Sequence, residues 1–264
     1  MERREVVWMA WRFLDTGEGD AYWNMAFDEA ILALRIENKL PATLRVYNWR
    51  PSAVSIGYFQ SLEDEVDLEA CKALGVDVVR RITGGGAVYH ECGGELTYSF
   101  VASEEELKAK RFFKDIQGSY QVICEALVEG LRKLGVNAEF KPVNDIVVNG
   151  KKISGNAQTR RRGVILQHGT ILLKTDIRSM FRVLKVSREK VSDKTIKAVE
   201  DRVTTISREV SRNISLDDVK EALRRGFEDY FNIEMITSTP TQAEIDLVLK
   251  YRQRYSSWDW IARR

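Results

Sequence analysis

Lys152 stands two residues after an Asn149-Gly150 pair, and that spacing decides what the lysine can do. Asn-Gly between two β-rich runs, Asp145 to Val148 and Lys151 to Ala157, is a strong hairpin signal. A two-residue turn pairs Val148 with Lys151, Val147 with Lys152, Ile146 with Ile153 and Asp145 with Ser154. Side chains alternate across a sheet. Asp145, Val147, Lys152, Ser154 and Asn156 therefore share one face, while Ile146, Val148 and Ile153 share an apolar one. Lys152 lies beside a carboxylate and a hydroxyl; Lys151 sits at the turn on the opposite face. An ammonium so placed can neutralise an approaching carboxylate or phosphate. Edge-strand lysines also serve simply to block aggregation, and the hairpin alone leaves both readings open.

A second segment, Arg80-Arg81-Ile82-Thr83-Gly84-Gly85-Gly86-Ala87-Val88-Tyr89-His90, follows an apolar run from Val76. Three glycines let backbone approach a ligand closely and turn N–H groups toward an anion. The two arginines before them supply fixed positive charge. The segment is neither a P-loop nor GxGxxG, and a tight connection between strands would also explain it. A third segment, Gln167-His168-Gly169-Thr170, places a histidine on an apolar strand, where a hydrogen-bonded structural role is the usual one. With two histidines in the chain, a histidine-based metal site is not expected. No Ser-His-Asp spacing is legible.

Cys71, Cys92 and Cys124 have no metal-like spacing. Two of them fall on apolar helix positions and read as core. An odd count without CxxC fits a reducing compartment. Arg160-Arg161-Arg162 reads as a solvated loop between strands or as a contact for phosphate or an acidic partner.

The elements that must position these groups follow from period. Phe27, Ala30, Ile31 and Leu34 form a helical stripe with Asn24 as N-cap. Thr43 to Trp49 and Ala53 to Ile56 read as strands. Val66 to Leu74 is a helix stopped by Gly75. Val76 to Ile82 and Glu95 to Val101 are strands. Ile116, Tyr120, Ile123, Leu127, Leu131 and Leu134 mark a long helix closed by Gly135. Further strands run from Ala138 to Phe140 and from Val164 to Leu173. Val219, Leu223, Phe227 and Phe231 form a helical stripe, and Thr241-Gln242-Ala243-Glu244 is a capping box. Lys185 to Arg212 is polar and assigns to no element. Strand after strand in the middle predicts an α/β fold with a mixed, mostly antiparallel sheet flanked by helices.

The 264 residues suit one domain, taken as 1–264. Net charge is only +2, which gives no reason to expect nucleic acid. Met1 to Glu5 precede no long apolar run, so no signal peptide is expected. No stretch approaches the roughly 18 apolar residues of a membrane span. A cytoplasmic location is the expectation.

In their order these motifs resemble the lipoate–protein ligase and octanoyltransferase family. The likeness begins at Asn24-Met25-Ala26-Phe27-Asp28-Glu29-Ala30 and continues through Ser55-Ile56-Gly57-Tyr58-Phe59-Gln60. It takes in Arg80 to His90, Asn144-Asp145, Lys152 to Ala157 and His168 to Thr170, and ends near Tyr255-Ser256-Ser257-Trp258. The resemblance implies the catalytic fold shared with biotin–protein ligases and class II aminoacyl-tRNA synthetases. It implies that Arg80, Gly85, Gly86, Ala87, Val88, Asn144, Asp145 and Lys152 bind ATP. Lipoate is implied to contact Arg80, Gly84, Gly85, His90, Lys152, His168, Gly169 and Thr170. Lys152 is the implied catalytic residue and Asp145 the residue nearest magnesium.

The main expectation is ATP-dependent activation of lipoate to lipoyl-AMP and its transfer to a lysine of lipoyl-carrier proteins. The usual acceptors are the glycine-cleavage H protein and the lipoyl domains of 2-oxoacid dehydrogenases. The family's single-chain ligases carry a C-terminal accessory domain with no counterpart after Trp258, so a small separate accessory subunit is expected. The family's octanoyltransferases instead move an acyl group through a cysteine thioester without ATP. One such subfamily is very similar around Gly155 to Arg160 and Gly163 to His168, but its cysteine lies just before the hairpin, where this chain has Phe140-Lys141-Pro142-Val143-Asn144-Asp145. For that alternative Cys92 is the candidate nucleophile. A third reading is a lipoate-binding or carrier-docking protein without turnover.

Overall fold

A computed structural model describes residues 10–185, 197 and 199–263. Met1 to Glu5, read above for a signal peptide, lie outside them, and the stretch from Lys185 to Arg212 is described only in part. The strands are β1 Trp11–Gly19, β2 Thr43–Trp49, β3 Ala53–Ile56, β4 Asp77–Arg80, β5 Val88–His90, β6 Glu95–Ser103, β7 Glu139–Lys141, β8 Asp145–Val148, β9 Lys151–Arg161, β10 Val164–Leu172 and β11 Met235–Ser238. The helices are α1 Ala21–Ile36, α2 Leu62–Glu65, α3 Leu68–Leu74, α4 Glu104–Lys110, α5 Ile116–Lys133, α6 Ile206–Glu209, α7 Leu216–Phe231, α8 Gln242–Tyr255 and α9 Trp258–Ile261.

Eight strands form one sheet in the order β11-β1-β2-β6-β10-β9-β8-β7. β1 runs parallel to β11 and β2, and every other neighbour pair is antiparallel. The expected mixed, mostly antiparallel sheet is what forms. β3, β4 and β5 make a second, smaller sheet in the order β4-β3-β5.

Alternation along the strands sorts the two faces of the large sheet. Leu96, Tyr98 and Phe100 point with Leu44 and Val46 toward α5 and α7, where Ile123, Leu127, Leu223 and Phe227 close a core. Tyr47 and Leu166 face the other way, into a core with Phe27, Ile31 and Tyr255 from α1 and α8. Val54 and Ile56 of the small sheet pack with Leu62, Val66 and Ile261 in a third cluster. Thr97 and His168 stand on the α1 side, so the polar residues of the large sheet face the small one across a gap.

Local chemistry explains most element ends. Asp20, not Asn24, caps α1: its carboxylate accepts from the Trp23 N–H at 2.7 Å. Asn24 sits inside the helix and donates to the carbonyls of Gly19 and Asn48, both at 3.0 Å. α3 ends on Gly75 at φ 62°, as the glycine predicted. The α8 capping box closes as expected, and its Glu244 also takes a buried salt bridge from Arg12.

The hairpin departs from the simple register. Val148 pairs with Lys151 and Val147 with Lys152, but Ile146 then faces Ser154 and Asp145 faces Gly155. One extra residue on β9 makes a β-bulge, a local twist that re-aims neighbouring side chains. Asn149 and Gly150 have φ of 50° and 78°, the positive values a two-residue hairpin turn needs.

Candidate active site

A pocket of about 380 Å³ lies between the two sheets. Gly85, Gly86, Ala87, Val88 and His90 form one wall; Lys152, His168, Gly169 and Thr170 lie on the facing strands, with Asn144 in the turn before β8. Met25, Tyr47 and Trp49 add an apolar end. Ile177, Met180, Leu184 and Val203 cover it from the segments after β10. Three residues expected at the site, Arg80, Gly84 and Asp145, do not form its wall.

Lys152 enters at the rim because of the bulge and of one glycine. A Cβ on Gly155 would lie 2.7 Å from both Cε and Nζ of Lys152, so the lysine lies flat across residue 155. Its ammonium is 2.7 Å from Oδ1 of Asp145, an oxygen shut off from solvent. Its backbone is held where β10 has ended: Lys152 N–H donates to Arg202 O at 2.7 Å, and Thr204 N–H donates to Lys152 O at 2.8 Å. Behind it, Asn156 donates to Asn144 O at 2.8 Å and accepts from Tyr98 at 2.6 Å.

The two adjacent arginines have separate tasks, since neighbours on a strand face opposite ways. Arg80 is wholly buried, with its N–H groups on the carbonyls of Gly57, Tyr58, Gln60, Trp260 and Ile261 at 2.7–3.2 Å. The ring N–H of Trp260 returns to Arg80 O at 2.9 Å. This corrects the placement of Arg80 in the pocket: it ties the C-terminal turn to the 57–60 loop. Arg81 lines the pocket instead and shapes the glycine segment from inside. It donates to Gly84 O and Gly86 O at 2.8 and 2.7 Å, to Ser55 O and Oγ at 2.9 and 3.2 Å, and to Thr83 Oγ1 at 3.1 Å. Burial pulls its pKa down to about 10, the opposing influence of Tyr120 being smaller. Gly85 has φ of 92°, and a Cβ on Gly57 would lie 2.0 Å from Gly85 O, so the loop closes only between two glycines.

Two hydroxyl–histidine–carboxylate chains start at Arg81. In one, Thr83 lies 2.7 Å from His168 Nε2, and His168 Nδ1 lies 2.9 Å from Asp28. Asp28 also accepts from Arg45 at 2.8 Å and Tyr47 at 3.0 Å. Burial alone would raise the Asp28 carboxyl, but the His168 hydrogen bond and the Arg45 charge outweigh it and hold it below its ordinary value. Burial pulls His168 below its ordinary value, and the Asp28 hydrogen bond and charge oppose it without reversing it. In the other chain Ser55 lies 2.8 Å from His90 Nε2, and His90 Nδ1 lies 2.6 Å from Glu95. His90 stacks on Trp49 at 4.1 Å, and Trp49 donates to Thr97 at 2.7 Å. Ser55, Arg81, Trp49, Thr97 and Asn156 were not named as site residues from the sequence, although Arg81 was one of the two arginines credited with charge and Asn156 was placed on the Lys152 face. Only strand alternation at Arg80-Arg81 could have hinted at one of them.

The arrangement offers one ammonium at the rim, a lined apolar end and buried groups that hydrogen-bond one another, with Oε2 of Glu95 left without a partner. The Arg80 and Arg81 guanidinium groups are directed at carbonyls and hydroxyls. Asp145 faces Lys152, and the described residues hold no cluster of three or more potential metal ligands. Among the described residues no helix is long and apolar enough to cross a membrane. Arg160 and Arg161 pair with Glu104 and Glu29 rather than with an open anion site.

The sequence matches the family described as Lipoyl protein ligase A/B catalytic domain over residues 20–228. It is 38% identical to a Geobacillus kaustophilus protein named octanoyltransferase LipM, over 96% of this chain and 98% of that one. Identity to the Bacillus subtilis protein of the same name is 34%, with the same coverage. Among solved structures, the bi-partite lipoate protein ligase from Thermoplasma acidophilum superimposes with a TM-score of 0.84 at 35% identity, covering 96% of each chain. A lipoate-protein ligase A bound with ATP gives 0.81 at 33% identity, over 96% of this chain and 99% of that one. The full-length relatives named octanoyltransferase overturn the expectation of ATP-dependent activation of lipoate to lipoyl-AMP. The pull toward adenylation came from Asn144-Asp145 and the missing cysteine before the hairpin, two local features outweighed by likeness along the whole chain.

Proposed function

Since this chain belongs to the lipoyl protein ligase A/B catalytic domain family, we propose that it transfers a medium-chain acyl group, octanoyl or a lipoate-like relative, from a thioester donor to a lysine of a lipoyl-carrier domain without ATP. The observation that carries this reading is the full-length likeness to proteins named octanoyltransferase. The pocket supports it. Its apolar end suits a hydrocarbon tail, and the Lys152 ammonium at the rim suits the oxygen of a carbonyl that becomes negative under attack. Acceptors of the H-protein and dehydrogenase E2 type present a lysine on a protein surface, which the rim can meet. The thioester route asks for no accessory subunit.

The test supplies an octanoyl thioester of a carrier protein and a lipoyl domain, with no nucleotide present, and follows acylation of the domain by mass. Acylation at a rate that ATP does not change is expected. Acylation from free octanoate or lipoate that requires ATP and releases pyrophosphate would overturn the reading. Tight ligand binding with no acylation under either condition would favour a docking protein.

A further inference from the structure

We propose that a buried tether, Thr83–His168–Asp28, sets the width of the pocket and thereby selects unbranched acyl chains over branched ones. The inference deepens the transferase reading above, on which it rests for the donors it names. The pocket lies between the two sheets, so its width is the gap between them. Thr83 belongs to the segment between β4 and β5 of the small sheet, while His168 stands on β10 of the large one. Thr83 Oγ1 lies 2.7 Å from His168 Nε2, and His168 Nδ1 lies 2.9 Å from Asp28 Oδ2 on α1. One imidazole thus joins the glycine wall to the sheet that faces it. All three side chains are buried. Of the three only His168 lines the pocket, so Thr83 and Asp28 are positioning residues that act through it and through the wall.

One end of the tether is anchored from several sides. Asp28 Oδ1 accepts from Arg45 at 2.8 Å, and Oδ2 accepts from Tyr47 at 3.0 Å. Arg45 in turn donates to Asn24 O and Oδ1 at 3.0 and 2.9 Å and to Thr16 at 2.9 Å. The other end has few holds. Among the described residues, Gly84 to Ala87 make no hydrogen bond to the large sheet. The carbonyls of Gly84 and Gly86 are held by Arg81, whose Nε donates to Thr83 Oγ1 at 3.1 Å. The height of the glycine wall over the large sheet therefore passes through the Thr83 hydroxyl. A second crossing, His90 to Glu95 at 2.6 Å, fixes the end nearest Trp49 and leaves the glycine end to Thr83.

Walls held at a fixed separation fit one cross-section. A methyl branch enters only if the glycine wall lifts, and lifting it parts the Thr83–His168 pair and leaves buried polar groups unpaired. An unbranched chain asks for no such movement. Thr83→Val keeps the side chain's shape and removes the hydroxyl; Thr83→Ser keeps the hydroxyl. The chain's cysteines have no part in the tether. Cys92, the candidate nucleophile read from the sequence, opens on a separate cavity of about 390 Å³ beside Arg50, Ser52 and Arg182, which corrects its placement at this pocket.

The experiment uses the full chain, with a lipoyl domain as acceptor. It compares kcat/KM for octanoyl-pantetheine and for the same donor carrying a methyl on the fourth acyl carbon. Calorimetry gives the dissociation constants of the two corresponding free acids. The natural chain and Thr83→Ser should favour the unbranched member by about tenfold or more in both measurements. In Thr83→Val the ratio should fall toward one, with the loss on octanoyl carried mainly by KM. A Thr83→Val variant that keeps the natural ratio, or that loses both donors equally, would overturn the inference. So would equal affinity of the natural chain for the two acids, a readout that needs neither a variant that folds nor turnover. If the natural chain fails on both thioesters yet binds the acids selectively, the transferase reading falls and the tether stands. If it turns over both thioesters equally well, the reading stands and the tether falls.

Discussion

Lys152 lies across Gly155, its ammonium and Cε occupying the space a Cβ at residue 155 would need. Function at residue 152 is therefore written partly in the absence of a side chain three positions on. Gly155→Ala should leave the fold intact, since the group in the way is the far end of a flexible side chain. It should displace the ammonium by an ångström or so and lower kcat by about a hundredfold. Melting temperature measured beside turnover would check this; equal loss of both would mean that Gly155 matters to the sheet and not to the lysine.

Removing the ammonium itself should cost more. Lys152→Ala is expected to reduce kcat by about 10²- to 10³-fold through loss of oxyanion stabilisation. The Lys152–Asp145 pair is partly exposed, so its contribution to stability should be below about 1 kcal/mol. A variant with full turnover would remove Lys152 from the chemistry.

Stability should fall with acidity through His168. Its folded-state pKa lies below the ordinary 6.5, so below that pH the unfolded chain binds a proton that the folded one resists. The contribution is complete above about 6.5 and is lost as pH drops beneath it. Asp28, also lowered, adds a loss of the same sign in more acid solution, below its ordinary 3.8. Melting curves from pH 8 to 5 should decline for the natural chain and flatten in His168→Gln, which keeps a donor and an acceptor but no titrating ring. A parallel decline in both would assign the effect elsewhere.

Trp49 should set acyl length. It closes the pocket end, fixed by Thr97 and by its stack on His90. Trp49→Val opens that end, so preference should move from eight-carbon toward longer donors, at a stability cost of about 3 kcal/mol. Competition between octanoyl and dodecanoyl thioesters reads the shift directly; an unchanged ratio would mean that the tail does not reach Trp49.

Arg80 should prove structural. Arg80→Met leaves several buried carbonyls without donors, each costing about 1–3 kcal/mol, so the melting temperature should drop steeply. Activity measured well below that temperature should fall far less than in Lys152→Ala. The reverse pattern would return Arg80 to the pocket.

How much of this could be read from the sequence differs element by element. The hairpin turn at Asn149-Gly150 was legible because positive φ at two successive residues restricts the choice of residue. The bulge beyond Val147 was not, because it depends on what β10 and the 202–204 segment do to β9. α5 and α7 showed in their apolar stripes, whereas the start of α1 was misplaced by four residues, since Asp20 and Asn24 are both good caps and only packing separates them. The motifs around Gly85 and Lys152 marked segments that meet at the pocket. Which of Arg80 and Arg81 faces it was invisible, because alternation says only that one of the two does. Ser55 and His90 are 35 positions apart, and Thr83 and His168 are 85 apart; no local pattern joins such pairs.

The Arg80 clasp has a consequence for how the molecule breathes. One guanidinium holds the 57–60 loop and the turn at Trp260–Ile261 together, and that loop in turn abuts the glycine segment. Segments far apart in the chain thus form a single cooperative opening unit. Amide hydrogens at residues 57–60, 81–86 and 260–262 should exchange with solvent at one shared free energy, so that fraying of the C-terminal turn and exposure of the glycine segment are the same event.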